Sequence, residues 1–242
     1  MTTTDTSTLD PDAPAAASAV PPPRIGPVRD DLAFDHGAIS GFNAWFFTAF
    51  AGYLNRVAGR HKRHAFADLA PGPVLEIGAG TGANVGLLPA GTQLIALEPS
   101  LRMHDRLRQR CAAAGLDATI VATGAESIPL PDESIDEVIC SLVLCTVRDP
   151  ERVLAEVRRV LRPGGRFRFV EHVAAPRRGV RRSIQVAVRR PWGWLFEGCR
   201  PDQHTPDLVR AAGFAEVRVE RAKLRGSVFW PVNTAIWGVA VK

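Results

Sequence analysis

The chain is short of several things, and each shortage excludes something. No stretch approaches the about 18 continuous apolar residues that cross a bilayer as a helix. The N-terminus lacks the basic start and apolar core of a secretory signal. Cysteine is scarce: Cys111, Cys140, Cys145 and Cys199 are the only four, and none forms a C-x-x-C pair. That spacing suggests neither a disulfide framework nor a zinc site, so no metal is expected. A reduced, cytoplasmic protein is the simplest account. There is no internal repeat, and lysine is rare beside arginine. Nothing suggests nucleic-acid readout: the basic run of Arg177–Arg182 is too localised in one insertion to argue it.

What is present suits one domain with a full core: 242 residues, 46% hydrophobic and 23% charged. The net charge of +5 fits arginines spread over solvated helix faces, with attraction to an anionic membrane as the other reading. Residues 1–29 are rich in Thr, Ala, Ser and Pro and bury too little to offset ordering entropy. They read as a disordered leader, with order beginning near Asp30.

Residues 30–70 read as a helical cap. Phe42, Trp45, Phe46, Phe50, Tyr53, Leu54 and Val57 recur at three- and four-residue steps, and the helical pattern runs from Phe42 to Leu69. A helix docked on the core, a lid over a pocket and an amphipathic membrane contact all fit it. From 71 to 242, strands and helices alternate: strands at Val74–Ile77, Gln93–Leu97, Thr119–Ala122, Ile135–Ser141 and Arg166–His172, with helices at Ser100–Ala114 and Pro150–Leu161 between them. A short helix starts at Asn84–Leu88, and Ser100 and Thr205 read as N-caps. Such alternation predicts an α/β fold with a parallel sheet and helices on both faces. Ala215–Arg221 and Ile236–Val241 leave no room for a helix between them, which predicts a terminal antiparallel pair in a seven-stranded sheet.

The first chemical signal is Val74-Leu75-Glu76-Ile77-Gly78-Ala79-Gly80-Thr81-Gly82-Ala83-Asn84. A strand runs into glycines at alternate positions, where the backbone can approach a ligand closely. Glu98 ends the next strand, where an acid holds ribose hydroxyls. Gly78-x-Gly80-x-x-Ala83 also satisfies the dinucleotide fingerprint, so this motif alone admits a nicotinamide cofactor as well as another adenosine-bearing one.

Two later blocks separate them: Gly124-Ala125-Glu126-Ser127-Ile128-Pro129-Leu130-Pro131-Asp132-Glu133-Ser134-Ile135-Asp136, and Val160-Leu161-Arg162-Pro163-Gly164-Gly165-Arg166. In this order behind Glu-x-Gly-x-Gly-x-Gly, they resemble the class I S-adenosylmethionine-dependent methyltransferases of the type 11 group, from about Leu69 onward. A narrower resemblance rests on Cys140-Ser141-Leu142-Val143-Leu144-Cys145, Glu171-His172-Val173-Ala174-Ala175, Leu195-Phe196-Glu197-Gly198-Cys199 and Gly238-Val239-Ala240-Val241-Lys242. These are similar to the methyltransferase-like 7 family, associated with methylation of small alkyl thiols. That family usually carries a hydrophobic N-terminal anchor; here the leader is polar and proline-rich.

The resemblance implies a Rossmann-like fold, S-adenosylmethionine as cofactor, a small-molecule methyl acceptor and an in-line displacement. It implies that Glu76, Gly78, Ala79, Gly80, Gly82 and Asn84 hold the amino-acid end, and that Glu98 takes the ribose hydroxyls. Pro99 and Leu101 would pack beside adenine, and Ser141 and Leu142 would floor the methionine portion. Many superfamily members carry Asp directly before the Ala-Glu pair; here that position is Gly124, so adenine falls to the backbone of Ala125, to Glu126, or to both. A thiol acceptor is expected by resemblance only. An O-, N- or C-acceptor such as a quinone or phospholipid, or a non-catalytic binding module, are the other readings.

The acceptor side is less legible. His172 ends the fifth strand, where ligands of such sheets bind, and has a pKa suited to general-base work. Local hydrogen bonding is its blander role, and His204 is a weaker candidate. Cys145 reads as pocket lining or core, Cys140 as core, and Cys199 stays unassigned. Residues 174–205 form the insertion expected to build the acceptor pocket. Its Arg177-Arg178-Gly179-Val180-Arg181-Arg182 run and its tryptophans fit an acceptor cap, a peripheral membrane helix or a solvated face.

Overall fold

The computed structural model describes residues 21–176, 179–224 and 226–242. Seven segments pair into one sheet. β1 (Val74–Ile77), β2 (Gln93–Leu97), β3 (Asp117–Val121), β4 (Ile135–Ser141) and β5 (Leu161–His172) run parallel in the order β3-β2-β1-β4-β5. β7 (Thr234–Val241) adds to β5 antiparallel, and β6 (Glu216–Lys223) closes that edge antiparallel to β7. The expected sheet and its terminal antiparallel pair are present.

Successive strand residues serve opposite faces, as the two-residue period of a strand requires. Leu75, Ile77, Val138, Cys140, Phe167 and Phe169 pack with Val153, Leu154 and Val157 of α4 (Pro150–Val160) and Val209 of α6 (Thr205–Ala211). Val74, Leu94, Ala96, Ile139 and Val170 pack with Leu107 and Cys111 of α3 (His104–Ala113) and with Ala65 of α2 (Ala51–Ala65). Helices therefore cover both faces.

Several boundaries differ from the expected ones for identifiable reasons. The helical stretch expected over Phe42–Leu69 starts earlier and stops earlier, as the pair α1 (Ala38–Ala49) and α2, parted at Phe50. β5 begins at Leu161, because Leu161 pairs with Ile135 and Gly164 donates to Lys242; the Pro-Gly-Gly segment is an irregularity inside the strand. Asn84 leads into a 3-10 turn at Val85–Leu87 rather than a helix. Ser100 makes no side-chain cap and precedes another 3-10 turn, Leu101–Met103, before α3. Thr205 is the first residue of α6, with His204 in the cap position. Contacts also begin ahead of Asp30, with Gly26 donating to the Pro129 carbonyl at 2.8 Å. The first twenty residues of the expected leader, Arg177 and Arg178 lie outside the described residues.

Two fastenings position the site. Arg168 donates to the Glu137 carboxylate and to the carbonyls of Ala65, Ala67 and Asp68, fixing the end of α2 under the sheet. In α5 (Val180–Leu195), Gln185 is fully buried; it accepts from Ala175 N–H and donates to the carbonyls of Val173, Pro201 and Pro231. That one side chain staples the 174–205 insertion to the sheet. Among the described residues, no helix is long and apolar enough to cross a membrane.

Candidate active site

The strand order reverses between β1 and β4, the place where open α/β sheets bind ligands beyond their strand ends. A cavity of about 380 Å³ lies there. The cap roofs it with Phe34, Phe46, Leu54 and Lys62, the insertion closes one end with Trp192, Phe196 and Cys199, and strand-end loops form the rest.

The β1 loop supplies Gly78, Ala79, Gly80 and Asn84 to the wall. Gly78 has φ 61°, and a Cβ there would stand 2.5 Å from Val143 Cγ2, so no other residue fits without moving β4's exit loop. Glu76 and Gly82, expected in the same group, do not reach the wall: Gly82 packs behind it against Leu107, and Glu76 is fully buried beneath. Asn84 links Glu76 to the cavity, donating to Glu76 Oε1 at 2.7 Å. Glu76 Oε2 and Asn84 Oδ1 have no partner among the described residues. Burial pushes the Glu76 carboxyl up to about 7, against the hydrogen bond from Asn84 and the nearby Lys62 charge.

Lys62 carries no recognised motif. It is 3% exposed, lines the cavity, and donates to Asn55 Oδ1 at 3.3 Å. Burial lowers its pKa to about 8, while Glu76 opposes the shift. Its position midway along a basic run, Arg60-His61-Lys62-Arg63-His64, hid it: only the helical phase turns it inward.

Glu98 ends β2 on the cavity wall, accepting from Gly80 N–H at 2.7 Å and Ser100 N–H at 2.8 Å, one through each oxygen. Each oxygen keeps a lone pair for another donor. Burial raises its pKa to about 7, opposed by these two backbone donors. Pro99 lines the cavity beside it; Leu101 does not, being 50% exposed.

Ala125 and Glu126 line the opposite side. A Cβ on Gly124 would lie 2.7 Å from Glu126 Oε2, so the Glu126 carboxylate fills the space a side chain at 124 would take. Its Oε1 accepts from Arg148 N–H at 3.1 Å.

Ser141 and Leu142 form the strand-end floor, with Leu142 in the left-handed region at φ 61°. A leucine rarely holds that conformation, and such backbone concentrates at functional sites. His172 and Cys199 complete the floor towards the insertion. His172 Nε2 lies 3.2 Å from Cys199 Sγ, and Trp192 Nε1–H donates to the same sulfur at 3.3 Å. Cys145 Sγ lies 3.8 Å from Cys199 Sγ, just behind the wall. The Cys145 thiol and the His172 imidazole together pull the Cys199 thiol well below its usual range, against burial. Burial would lower the His172 pKa, but the Cys199 sulfur outweighs it and the net shift is upward. His172 Nδ1 is buried without a partner among the described residues. Glu171, its strand neighbour, faces the other way and accepts from Val143 N–H and Leu144 N–H. His204 stands elsewhere, half exposed, near Arg182 and Asp207. Sequence spacing missed the approach of Cys145, His172 and Cys199, because three separate elements bring them together.

A family described as a methyltransferase domain matches residues 75–169, from β1 into β5. The chain is 33% identical to human thiol S-methyltransferase TMT1A over 209 residues, covering 82% of this chain and 85% of that one. It is 37% identical to human thiol S-methyltransferase TMT1B over 199 residues, covering 78% and 81%. Among solved structures, an S-adenosylmethionine-dependent methyltransferase from Thermotoga maritima, described as a possible histamine N-methyltransferase, superposes with a TM-score of 0.61 at 24% identity, covering 84% of this chain and 99% of that one. That likeness speaks for the fold. With 33–37% identity over about four-fifths of its length, the chain belongs to the TMT1 (methyltransferase-like 7) family of class I methyltransferases and is an enzyme that moves a methyl group from S-adenosylmethionine to a small acceptor.

Proposed function

We propose that the acceptor is an alkyl thiol. The observation that carries this reading is the acceptor end of the cavity: aromatic walls of Phe46, Trp192, Phe196 and Phe229 beside the polar His172–Cys199 contact. An alkyl chain suits the walls, and a sulfur suits the polar point. The names of the human relatives, thiol S-methyltransferases, support it.

The residues present fit the cofactor. Buried polar atoms without partners, Asn84 Oδ1, Glu76 Oε2 and Ser141 Oγ, cluster where its amino-acid end belongs. Asn84 would accept from the cofactor's ammonium group with Glu76 behind it, and Lys62 would meet its carboxylate. Glu98 would take both ribose hydroxyls, with Pro99 against the nucleoside. Ala125 and Glu126 would read the adenine amino group, and Gly78, Ala79 and Gly80 would pass its backbone closely. Ser141 and Leu142 would support the methionine portion. When bound, the cofactor supplies a methyl carbon activated by a sulfonium. The protein's share is alignment and the exclusion of water.

A thiol reacts as its thiolate. We assign His172 to keeping the accepting sulfur deprotonated. Its Nε2 is already engaged with Cys199, so it acts with the cysteines around it rather than as a free base. A reducing, cytoplasmic setting belongs to the same reading, supported by cysteine spacing that offers no disulfide framework.

The test is tritiated methyl transfer to a short-chain alkyl thiol, a phenol and an amine under identical conditions. Preferential labelling of the thiol is expected. Labelling of the phenol or amine alone would refute the thiol assignment and leave the methyltransferase standing.

A further inference from the structure

The cavity floor holds a side-chain set that the cofactor does not need. Cys145 follows β4, His172 ends β5 and Cys199 follows α5, yet their ligand atoms all lie within 4.8 Å of one another. All three are buried. Arg200 N–H donates to the Cys145 carbonyl at 2.8 Å, tying the Cys199 loop to the Cys145 loop.

We propose that Cys145, His172 and Cys199 form a zinc site whose fourth position, facing the cavity, takes the sulfur of the acceptor thiol. The proposal rests on the thiol reading above and deepens it.

Geometry carries it. Zinc holds thiolate sulfur at about 2.3 Å and imidazole nitrogen at about 2.0–2.1 Å in a tetrahedron. Those lengths set tetrahedral edges of about 3.8 Å between two sulfurs and about 3.5 Å between sulfur and nitrogen. The sulfurs of Cys145 and Cys199 stand 3.8 Å apart, and His172 Nε2 stands 3.2 Å from Cys199 Sγ. Shifts of a few tenths of an ångström at these edges, and closure of the third, would seat the ion. Three protein ligands with one open position is the arrangement of catalytic rather than structural zinc.

The surroundings agree. His172 and Cys199 are on the cavity wall and Cys145 is behind it, so the fourth position opens towards the acceptor end. Trp192 Nε1–H donates to Cys199 Sγ, the kind of outer contact that orients a ligating sulfur. Two thiolates and an imidazole are soft-to-intermediate donors that suit zinc.

The charges and protons balance. Binding the ion releases one proton from each cysteine to solvent, and a thiol entering the fourth position releases its own. The acceptor's sulfur then donates a lone pair to the methyl carbon. The breaking carbon–sulfur bond leaves its electron pair on the cofactor's sulfur, which becomes a neutral thioether.

The experiment is a cobalt(II) titration of the full chain, reduced and kept anaerobic, with zinc as competitor. One equivalent should bind and give sulfur-to-cobalt charge-transfer bands with visible bands of tetrahedral intensity, all lost on adding zinc. Adding an alkyl thiol should strengthen the charge-transfer bands as a third sulfur enters. Cys145→Ser, Cys199→Ser and His172→Asn should each weaken binding beyond the about 10–100-fold that outer contacts contribute. Cys111→Ser, at a cysteine of α3 buried in the other core cluster, should leave the spectrum unchanged. Trp192→Phe, a milder change, should weaken binding without removing it, which guards against ligand variants that fail to fold.

Absence of tetrahedral bands in reduced, folded wild-type protein overturns the site. So does a spectrum that Cys199→Ser in folded form does not alter, or isolation of a Cys145–Cys199 disulfide that forms in preference to metal binding. A bound ion whose spectrum ignores added thiol overturns the acceptor role. Thiol methylation at full rate by chelator-treated, metal-free protein would sink the zinc proposal while upholding the thiol reading. Metal binding with no thiol methylation would refute the thiol reading, and with it the acceptor's place at the fourth position, and leave the ion site alone.

Discussion

Asn84 donates a 2.7 Å hydrogen bond to Glu76 and so connects a carboxylate that cannot reach the cavity to one end of it. Lys62 lies near enough for its charge to bear on the same carboxylate. This buried trio forms a polar end of the cavity, the one proposed above for the amino-acid part of the cofactor.

Lys62→Met should lower affinity for S-adenosylhomocysteine about tenfold or more, since a hydrogen bond to a charged group contributes about 1.5–3 kcal/mol. Stability without cofactor should hold or rise, because a buried charge with few partners is costly to keep. Calorimetry and thermal melts check both. Unchanged affinity would remove Lys62 from the site.

Glu98→Ala should weaken S-adenosylmethionine binding by about 1.5–3 kcal/mol, roughly 10- to 150-fold. It also strips an acceptor from Gly80 N–H and Ser100 N–H, so some loss of stability should accompany it. A dissociation constant equal to wild type would refute the ribose role.

The pH dependence has a defined sign. Glu76 and Glu98 are raised by burial from 4.5 to about 7, so the folded chain holds their protons more tightly than the unfolded one. Their contribution to stability therefore falls as pH rises from about 4.5 to about 7. Lys62, lowered from 10.5 to about 8, works oppositely: its contribution recovers as pH rises from about 8 to about 10.5. Cofactor binding needs both carboxylates ionised and the ammonium charged. Affinity should peak between about 7 and 8, and the wild-type-minus-Glu98→Gln difference in melting temperature without cofactor should shrink towards pH 4.5. A difference independent of pH would contradict the buried-carboxyl assignment.

Gly124→Asp should impair cofactor binding by displacing the flexible Glu126 carboxylate, which its Cβ would meet at 2.7 Å, and by setting a second carboxylate beside it. Gly124→Asp combined with Glu126→Ala should recover much of it, by returning the adenine-facing carboxylate to position 124. Failure of the pair to improve on the single variant would mean that the two positions do not share a task.

Gln185→Leu should destabilise the fold by several kcal/mol, at about 1–3 kcal/mol for each buried backbone group left unpaired. It should raise KM for the acceptor more than for the cofactor, because its partners Val173, Pro201 and Pro231 tie down the segments that carry the cavity-lining His172, Cys199 and Phe229. Steady-state kinetics separate the two. Equal changes in both constants would show a general loss of structure instead.

The sheet and the glycine wall were legible because they rest on local signals. Strand-type runs such as Ile135–Ser141 and breakers such as Pro163-Gly164-Gly165 act within a few residues. Glu98 was legible by its distance from the glycines, one parallel strand to the next. Leu101 was misjudged because a side chain next to a lining residue can turn to solvent, and a 3-10 turn makes it do so. Lys62 and Gln185 were hidden inside helices that looked solvated, where only tertiary packing shows which face is inward. The Cys145–His172–Cys199 set was hidden more deeply. Its members are separated by 26 or more positions, and no spacing rule spans a strand, a sheet crossover and an insertion.

β5 pairs with β7 so that Glu171 sits opposite Ile236 and His172 opposite Ala235. The two neighbours point to opposite sides, one tethering the loop after β4, the other meeting the cavity. A slip of one position along this pairing would exchange them and put a carboxylate where the imidazole stands. Gly238 helps hold the alignment: a Cβ there would overlap the Arg218 carbonyl and crowd Phe169. The chemical character of the acceptor end is thus chosen by strand registry, and a residue that never touches a ligand, Gly238, is among its guardians.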